Sequence, residues 1–189
     1  EFKFHSHADK LEIHAMTVAP EAKIIGVVQI LHGMCEHKER YYDFMKYLAE
    51  KGYLCVIHDH RGHGSSVVSD ADLGYFYDAG YDGLIEDAHQ VTELIKESVG
   101  DVPYILLGHS MGSFMARRYL MTYGDELTGA ILCGTGEQTS ATLFAGKTAA
   151  GILGAFKGQR YRSEFIRKTS FKGYNDRFEK RTENDWLTK

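Results

Sequence analysis

Gly108-His109-Ser110-Met111-Gly112 forms a G-x-S-x-G pattern. It lies directly between the apolar run Tyr104-Ile105-Leu106-Leu107 and an amphipathic stretch. Strand, serine, helix is the order that nucleophilic attack by a hydroxyl requires. A tight turn lifts the serine Oγ clear of the sheet, and side chains two residues to either side would collide, so glycine fills both places. A helix starting at Ser110 aims its unpaired N–H groups and positive dipole end at the reacting centre. A second element, His32-Gly33-Met34, follows the apolar run at residues 24–31. In acyl transfer one donor to the developing oxyanion is the N–H of the residue after the nucleophile, here Met111. The other comes from a loop after an earlier strand, and Met34 stands in that position. These residues suit attack on a carbonyl with the oxyanion held by two main-chain N–H groups.

Several elements must position them. Residues 11–18 alternate apolar and polar side chains as a half-buried strand does, with residues 2–5 as a hairpin partner. Residues 24–31 are continuously apolar except for Gln29, and read as a strand buried on both faces. Residues 42–51 predict a helix with Phe44, Met45, Leu48 and Ala49 on one face and Gly52 as its stop. A strand follows at 53–57. Residues 80–99 give the clearest helix, with Tyr81, Leu84, Ile85, Ala88, Val91 and Ile95 at three- and four-residue steps. A strand at 102–107, a helix at 111–123 and a strand at 129–133 complete the series. Strand alternates with helix from 24 to 134, which implies an α/β fold with a mostly parallel sheet and helices on both faces. Two regions are expected: a core at 1–136 and a helical cap or lid segment at 137–189, outside the sheet. No strand is expected after the cap.

With these segments placed, the sequence resembles the monoacylglycerol lipase and lysophospholipase family of α/β-hydrolases. His32-Gly33-Met34-Cys35-Glu36-His37 followed by Arg40-Tyr41 is similar to that family's H-G-x-x-E-H-x-x-R-Y segment. Asp59-His60-Arg61-Gly62-His63-Gly64-Ser65-Ser66 is similar to its D-x-R-G-H-G-x-S loop, and residues 108–112 match its G-H-S-M-G elbow. The resemblance covers about residues 10–135. It implies a serine carboxylic-ester hydrolase working through an acyl-enzyme on Ser110, with single-chain lipids or related esters as substrates and no metal or organic cofactor. Met34 and Met111 become the oxyanion donors, and His32 and Gly33 shape the oxyanion loop beside the substrate. Glu36, His37, Arg61 and His63 take structural roles, as buried hydrogen-bonding and loop-fixing groups. Among the cap residues, Leu143, Phe144 and Phe156 are candidates for lining an acyl-chain pocket. His58, His60 and His63 also give H-x-H-x-x-H, a spacing seen in zinc hydrolases. The family loop accounts for that spacing without a metal.

One departure is decisive. In this fold the triad runs Ser, then Asp or Glu, then His along the chain. All ten histidines lie at or before His109, and Asp176 and Asp185 fall in a polar stretch with no strand pattern. The triad Asp and His are therefore expected to be absent from this chain, as are the C-terminal strands of the sheet. A truncated or cleaved chain is the simplest expectation, partnered by its own missing C-terminal half or by another copy of itself. The alternative is a catalytically inactive module of the same fold that binds a lipid or a partner.

Composition sets wider bounds. A length of 189 residues with 43% apolar content supports one sizeable core. The net charge of −4 gives no sign of nucleic-acid binding, although residues 157–189 hold ten Lys/Arg against five Asp/Glu. That basic end reads as a solvated surface, or as one suited to anionic lipid. Cys35, Cys55 and Cys133 follow no metal-ligand spacing, and reduced, buried thiols in a cytoplasmic protein, peripheral at membranes, are expected. No stretch reaches the roughly 20 apolar residues of a transmembrane span. Residues 141–156 come closest, interrupted by Lys147.

Overall fold

The structure is a computed structural model that describes residues 1–158, 160–170 and 176. Asp185 and most of the chain beyond 170 lie outside the described residues. Two compact units are present, Glu1–Gly136 and Glu137–Lys189.

The first unit is a six-stranded sheet. Its strands are β1 (Phe2–His5), β2 (Glu12–Val18), β3 (Gly26–Leu31), β4 (Tyr53–His58), β5 (Tyr104–His109) and β6 (Gly129–Cys133). Their spatial order is β1-β2-β4-β3-β5-β6. β1 pairs antiparallel with β2 and β2 antiparallel with β4, whereas β4, β3, β5 and β6 run parallel to one another. Three helices connect them: α1 (Tyr42–Ala49), α2 (Gly80–Val99) and α3 (Met111–Tyr123).

The twofold alternation along β3 explains its continuous apolar run. Val28 and Ile30 pack with Met45 of α1 and with Cys55 and Ile57 of β4. Val27 and Leu31 point to the opposite face, where the clusters contain Leu84, Ala88 and Val91 of α2 and Met115 and Tyr119 of α3. Both faces are covered, so every β3 residue is buried. Gln29, the one polar member, donates to the Ala88 carbonyl at 2.8 Å and accepts from Thr92 Oγ1 at 2.8 Å and Tyr104 Oη at 2.5 Å. It pins β3 to α2 through two of these bonds and to β5 through the third.

The boundaries follow backbone chemistry. β5 begins at Tyr104, later than the expected 102, because Pro103 has no N–H to give the ladder; its carbonyl accepts from Val27 N at 2.8 Å instead. β5 also runs on to His109, in register with Cys133 of β6. The cysteines differ from expectation: Cys55 is buried, but Cys35 and Cys133 are exposed. Cys35 lies in a loop at φ 61°. Cys133 ends β6, where four of the five residues are exposed because β6 pairs only with β5 among the described residues. His37, expected to be buried, is exposed as well, and its ring meets Glu39 Oε2 at 2.7 Å.

The second unit contains α4 (Ser140–Lys157) and α5 (Glu164–Ser170). Thr139 caps α4 by accepting from Thr142 N at 3.2 Å. Among the described residues no helix is long and apolar enough to cross a membrane.

The first unit also buries charge and imidazole. Arg61 is fully buried. Its Nε donates to Asp87 Oδ2 at 2.8 Å, its Nη1 to Asp9 Oδ2 at 2.7 Å and its Nη2 to Ser6 Oγ at 2.9 Å. One guanidinium thus ties the β1–β2 turn and α2 to the loop after β4. His32, His58, His60 and His63 are buried nearby. Burial holds His32 down to about 3 and His58 down to about 4, and it lowers His60 and His63 as well.

Two outcomes follow from these groups. Arg61→Ala leaves Asp87 buried without its partner and should cost about 3–5 kcal/mol, read as a lower urea midpoint with an unchanged slope. Acid should act through the histidines. Unfolded histidine takes a proton below about pH 6.5 while the folded groups stay neutral, so the unfolded state binds more protons in this range. Their stabilisation is complete above about pH 6.5 and is lost as the pH falls toward the folded values of about 4 and 3. Each histidine that stays neutral contributes a slope of about 1.4 kcal/mol per pH unit. Urea midpoints at pH 7.5 and 5.0 should show the drop before most carboxylates titrate; a flat profile contradicts it.

Candidate active site

β5 and α3 meet at Ser110, which has φ 52° and ψ −116°. This is the left-handed side of backbone space, which a residue with a Cβ adopts only under strain of about 1–3 kcal/mol. Three hydrogen bonds hold the turn. Ser110 N donates to the Cys133 carbonyl at 2.9 Å, and the Ser110 carbonyl accepts from Ser113 N at 2.9 Å and Ser113 Oγ at 2.6 Å. The flanking glycines are required by contact. A Cβ on Gly108 would lie 2.3 Å from the Gly112 carbonyl oxygen, and one on Gly112 would lie 2.0 Å from the Leu31 carbonyl oxygen and 2.7 Å from that of His32. The first turn of α3 therefore seats directly on the end of β3. Met111 is the first residue of α3, so its N–H has no partner within the helix.

The loop after β3 adjoins this turn. A Cβ on Gly33 would come within 3.2 Å of Ser110 Cβ. Met34 follows Gly33 and is exposed. The structure thus brings Gly33 against Ser110 and Gly112 against Leu31 and His32, with Met34 next to Gly33 and Met111 next to Ser110 in the chain. Ser110 Oγ itself forms no hydrogen bond to any described residue, and no side chain among them stands as its proton acceptor. Leu143, Phe144 and Phe156 lie on α4 in the second unit, each with its side chain exposed. Asp176 lies in a turn, not at a strand end.

Most of what fixes the Gly33 loop is invisible in the local sequence. The buried Glu36 carboxylate gathers four donors. Oε2 accepts from Gly33 N at 2.6 Å, Tyr41 Oη at 2.8 Å and His109 Nδ1 at 3.2 Å, while Oε1 pairs with Arg40 Nε at 3.2 Å. Burial opposes the ionised form of Glu36, but the bonds from Tyr41, Gly33 and His109 outweigh it and hold the carboxyl below its usual range. Burial, followed by the Glu36 charge, pushes the Tyr41 hydroxyl up, so Tyr41 remains a donor. Two residues on, Lys38 N donates to Asp59 Oδ1 at 2.7 Å and Lys38 Nζ to Asp59 Oδ2 at 2.9 Å. Asp59 Oδ2 also accepts from Ser65 N at 2.9 Å. Gly64, at φ 49°, leaves room for that carboxylate, since a Cβ there would lie 2.3 Å from Asp59 Cγ. Asp59 therefore locks the loop after β3 to the loop after β4.

The H-x-H-x-x-H rings are engaged with protein atoms: His58 and His60 with each other at 3.1 Å, and His63 Nδ1 with the Arg61 carbonyl at 3.3 Å. Among the described residues no group of three or more His, Cys, Asp or Glu is arranged to hold a metal ion.

Comparison with known proteins agrees with this fold. The family described as Hydrolase_4, serine aminopeptidase, S33 matches residues 22–189. The chain is 32% identical over 118 residues to a monoacylglycerol lipase of Mycolicibacterium smegmatis, covering 61% of this chain and 39% of that protein. It is 35% identical over 92 residues to the monoglyceride lipase of Mus musculus, covering 46% and 27% respectively. The crystal structure of a thermostable carboxyl esterase from Bacillus coagulans superposes with a TM-score of 0.85 at 31% identity, over 98% of this chain and 60% of the esterase. The chain thus spans under two thirds of the length of these relatives. With a family match over nearly its whole length and a mostly parallel sheet of matching architecture, the chain belongs to the serine aminopeptidase S33 family of α/β-hydrolases.

Proposed function

We propose that this chain carries the nucleophile and oxyanion hole of a serine carboxylic-ester hydrolase of monoacylglycerol lipase or lysophospholipase type. The observation that carries the proposal is Ser110 at φ 52° on the β5–α3 turn, with the Gly33 loop packed against it. Ser110 Oγ attacks the ester carbonyl, the alcohol leaves, and the acyl group stays on the serine until water removes it. The N–H groups of Met34 and Met111 hold the oxyanion formed in each half-reaction. Both donors belong to the main chain, so the rate depends on loop geometry more than on either side chain. Single-chain lipid esters are the proposed substrates, in keeping with the lipases among the relatives. His32 and Gly33 border the reacting carbonyl. No cofactor takes part. The exposed apolar side chains of α4 and the basic residues beyond it suit peripheral association with a lipid surface.

The triad acid and base are not supplied by these 189 residues, since no histidine follows Ser110. The same observation favours a second reading, an inactive module of this fold that binds a lipid or a partner protein. The two differ in whether Ser110 is reactive at all.

A fluorophosphonate reagent, followed by intact mass, separates them. Slow, stoichiometric labelling that disappears in Ser110→Ala supports the nucleophile, whereas no labelling of the folded chain favours the inactive module. Turnover gives a second outcome. The chain alone should hydrolyse p-nitrophenyl esters negligibly, retaining at most the roughly 10³–10⁴-fold over water that an oxyanion hole and binding give without a triad. A robust rate that depends on Ser110 would show that a base is present within these residues.

A further inference from the structure

We infer that His58, His60 and His32 form a directed chain of neutral imidazoles that positions the Met34 N–H as an oxyanion donor. The functional part rests on the proposed acyl transfer at Ser110. The direction of the chain follows from backbone groups whose roles are fixed.

His60 N–H can only donate, and it lies 3.0 Å from His32 Nε2. His32 Nε2 is therefore the acceptor, and in a neutral ring the proton sits on Nδ1. That Nδ1–H donates to the Gly33 carbonyl at 2.7 Å. The His32 carbonyl can only accept, and it lies 3.1 Å from His60 Nε2. His60 thus carries its proton on Nε2, and its Nδ1 accepts. The donor to His60 Nδ1 is His58 Nε2, at 3.1 Å. Two main-chain groups therefore dictate all three tautomers: Nε2–H on His58, Nε2–H on His60 and Nδ1–H on His32. The His32 and His60 rings stack at 3.8 Å with 26° between planes, and His58 meets His60 edge-on at 4.8 Å, so none of the rings is free to turn. The one buried side-chain polar atom without a partner among the described residues is His58 Nδ1. That is where this chain of tautomers must end, on an unshared lone pair.

The far end of the chain is the Gly33–Met34 peptide. A trans peptide is planar, and its N–H points opposite its C=O. By holding the Gly33 oxygen, His32 fixes the direction of the Met34 N–H. The preceding peptide is fixed separately, because Gly33 N donates to Glu36 Oε2 at 2.6 Å. Gly33 is thus held at both its N–H and its C=O by different side chains. Glu36 is braced by Tyr41, His109 and Arg40, while His32 is hydrogen-bonded to His60, which His58 holds in turn, and meets the His63 ring edge-on at 5.4 Å. His58, at the end of β4, is in this account a positioning residue that never touches the substrate.

The test starts with side-chain ¹⁵N resonances, which distinguish the two imidazole tautomers. The wild-type chain should show the three assignments above; Nε2–H on His32 or Nδ1–H on His58 overturns the relay. His58→Leu removes the donor to His60 and should shift the Met34 amide and Gly33 carbonyl resonances. His58→Gln, whose amide N–H can stand in for Nε2–H, should return them to their wild-type positions. A Met34 amide unmoved by His58→Leu overturns the proposal, as does a failure of His58→Gln to restore it. If His58→Leu does not fold, the wild-type tautomers and His58→Gln decide. Fluorophosphonate labelling of Ser110 then tests the functional part separately. Slowing of about tenfold or more in His58→Leu, with recovery in His58→Gln, supports it. The expected tautomers combined with an unreactive Ser110 overturn the oxyanion role and leave the relay as a purely structural device.

Discussion

The seating of α3 on the end of β3 sets the site. The first turn of α3 rests on the end of β3 so tightly that a single methyl group on Gly112 would fall 2.0 Å from the Leu31 carbonyl oxygen. Everything at the elbow depends on this contact. It forces glycine at 112 and, through the Gly112 carbonyl, at 108. It places the positive end of α3 beside the loop that leaves β3. It also leaves Ser110 the whole change of direction from strand to helix, which is why a residue with a Cβ sits at φ 52°. Such strain persists only where surrounding contacts over-determine it. Here the hydrogen bonds to Cys133 and Ser113 do so from both sides.

The elbow was legible in the sequence because its logic is local. An apolar run, a G-x-S-x-G pattern and a helical period follow one another within 20 residues, and each reports a steric need of the next. The sheet was legible for the same reason, with Gln29 as the visible break in a buried strand. Groups that meet across long stretches of chain were not legible. Tyr41 and His109 are 68 residues apart and share Glu36, while Lys38 and Asp59 are 21 apart. No periodicity announces a buried lysine. Its aliphatic stem and its buried carboxylate partner, Asp59, become evident only when two loops lie side by side. The resemblance pointed to Glu36 and Arg61 as loop-fixing groups but did not say what they hold. The cysteines misled for a related reason. An apolar run signals burial only when both faces of its strand are covered, and β6 is exposed over most of its length.

The loops around Ser110 are held by polar bonds more than by apolar packing. Asp59, Glu36, Arg61 and four histidines are all buried within residues 32–63. Burial of this kind is costly, and an apolar replacement of similar shape often matches or exceeds it in stability. Directionality is what it provides in return. Leucine side chains can fill a volume, but they cannot fix the rotation of a peptide plane. A carboxylate that accepts from Gly33 N and an imidazole that donates to Gly33 O do fix it. For a site whose donors are main-chain N–H groups, peptide rotation is the variable that matters, because a donor must point at the place where charge develops.

This arrangement separates two tasks of a serine hydrolase. In the proposed reading, holding the oxyanion depends on residues of β3, β4, β5 and the loops that follow them, all within the first unit and tied together by bonds that do not involve any proton acceptor for Ser110. Taking the serine proton depends on an imidazole that must approach Oγ from outside this network. His109, the residue next to Ser110, has its Nδ1 committed to Glu36 and Tyr41, and the rings of His32, His58 and His60 are committed to one another and to the backbone. Each histidine near the site is thus spent on geometry. On the proposed reading the oxyanion frame and the base are thus separable, and the reactivity of Ser110 would report on the frame independently of the triad.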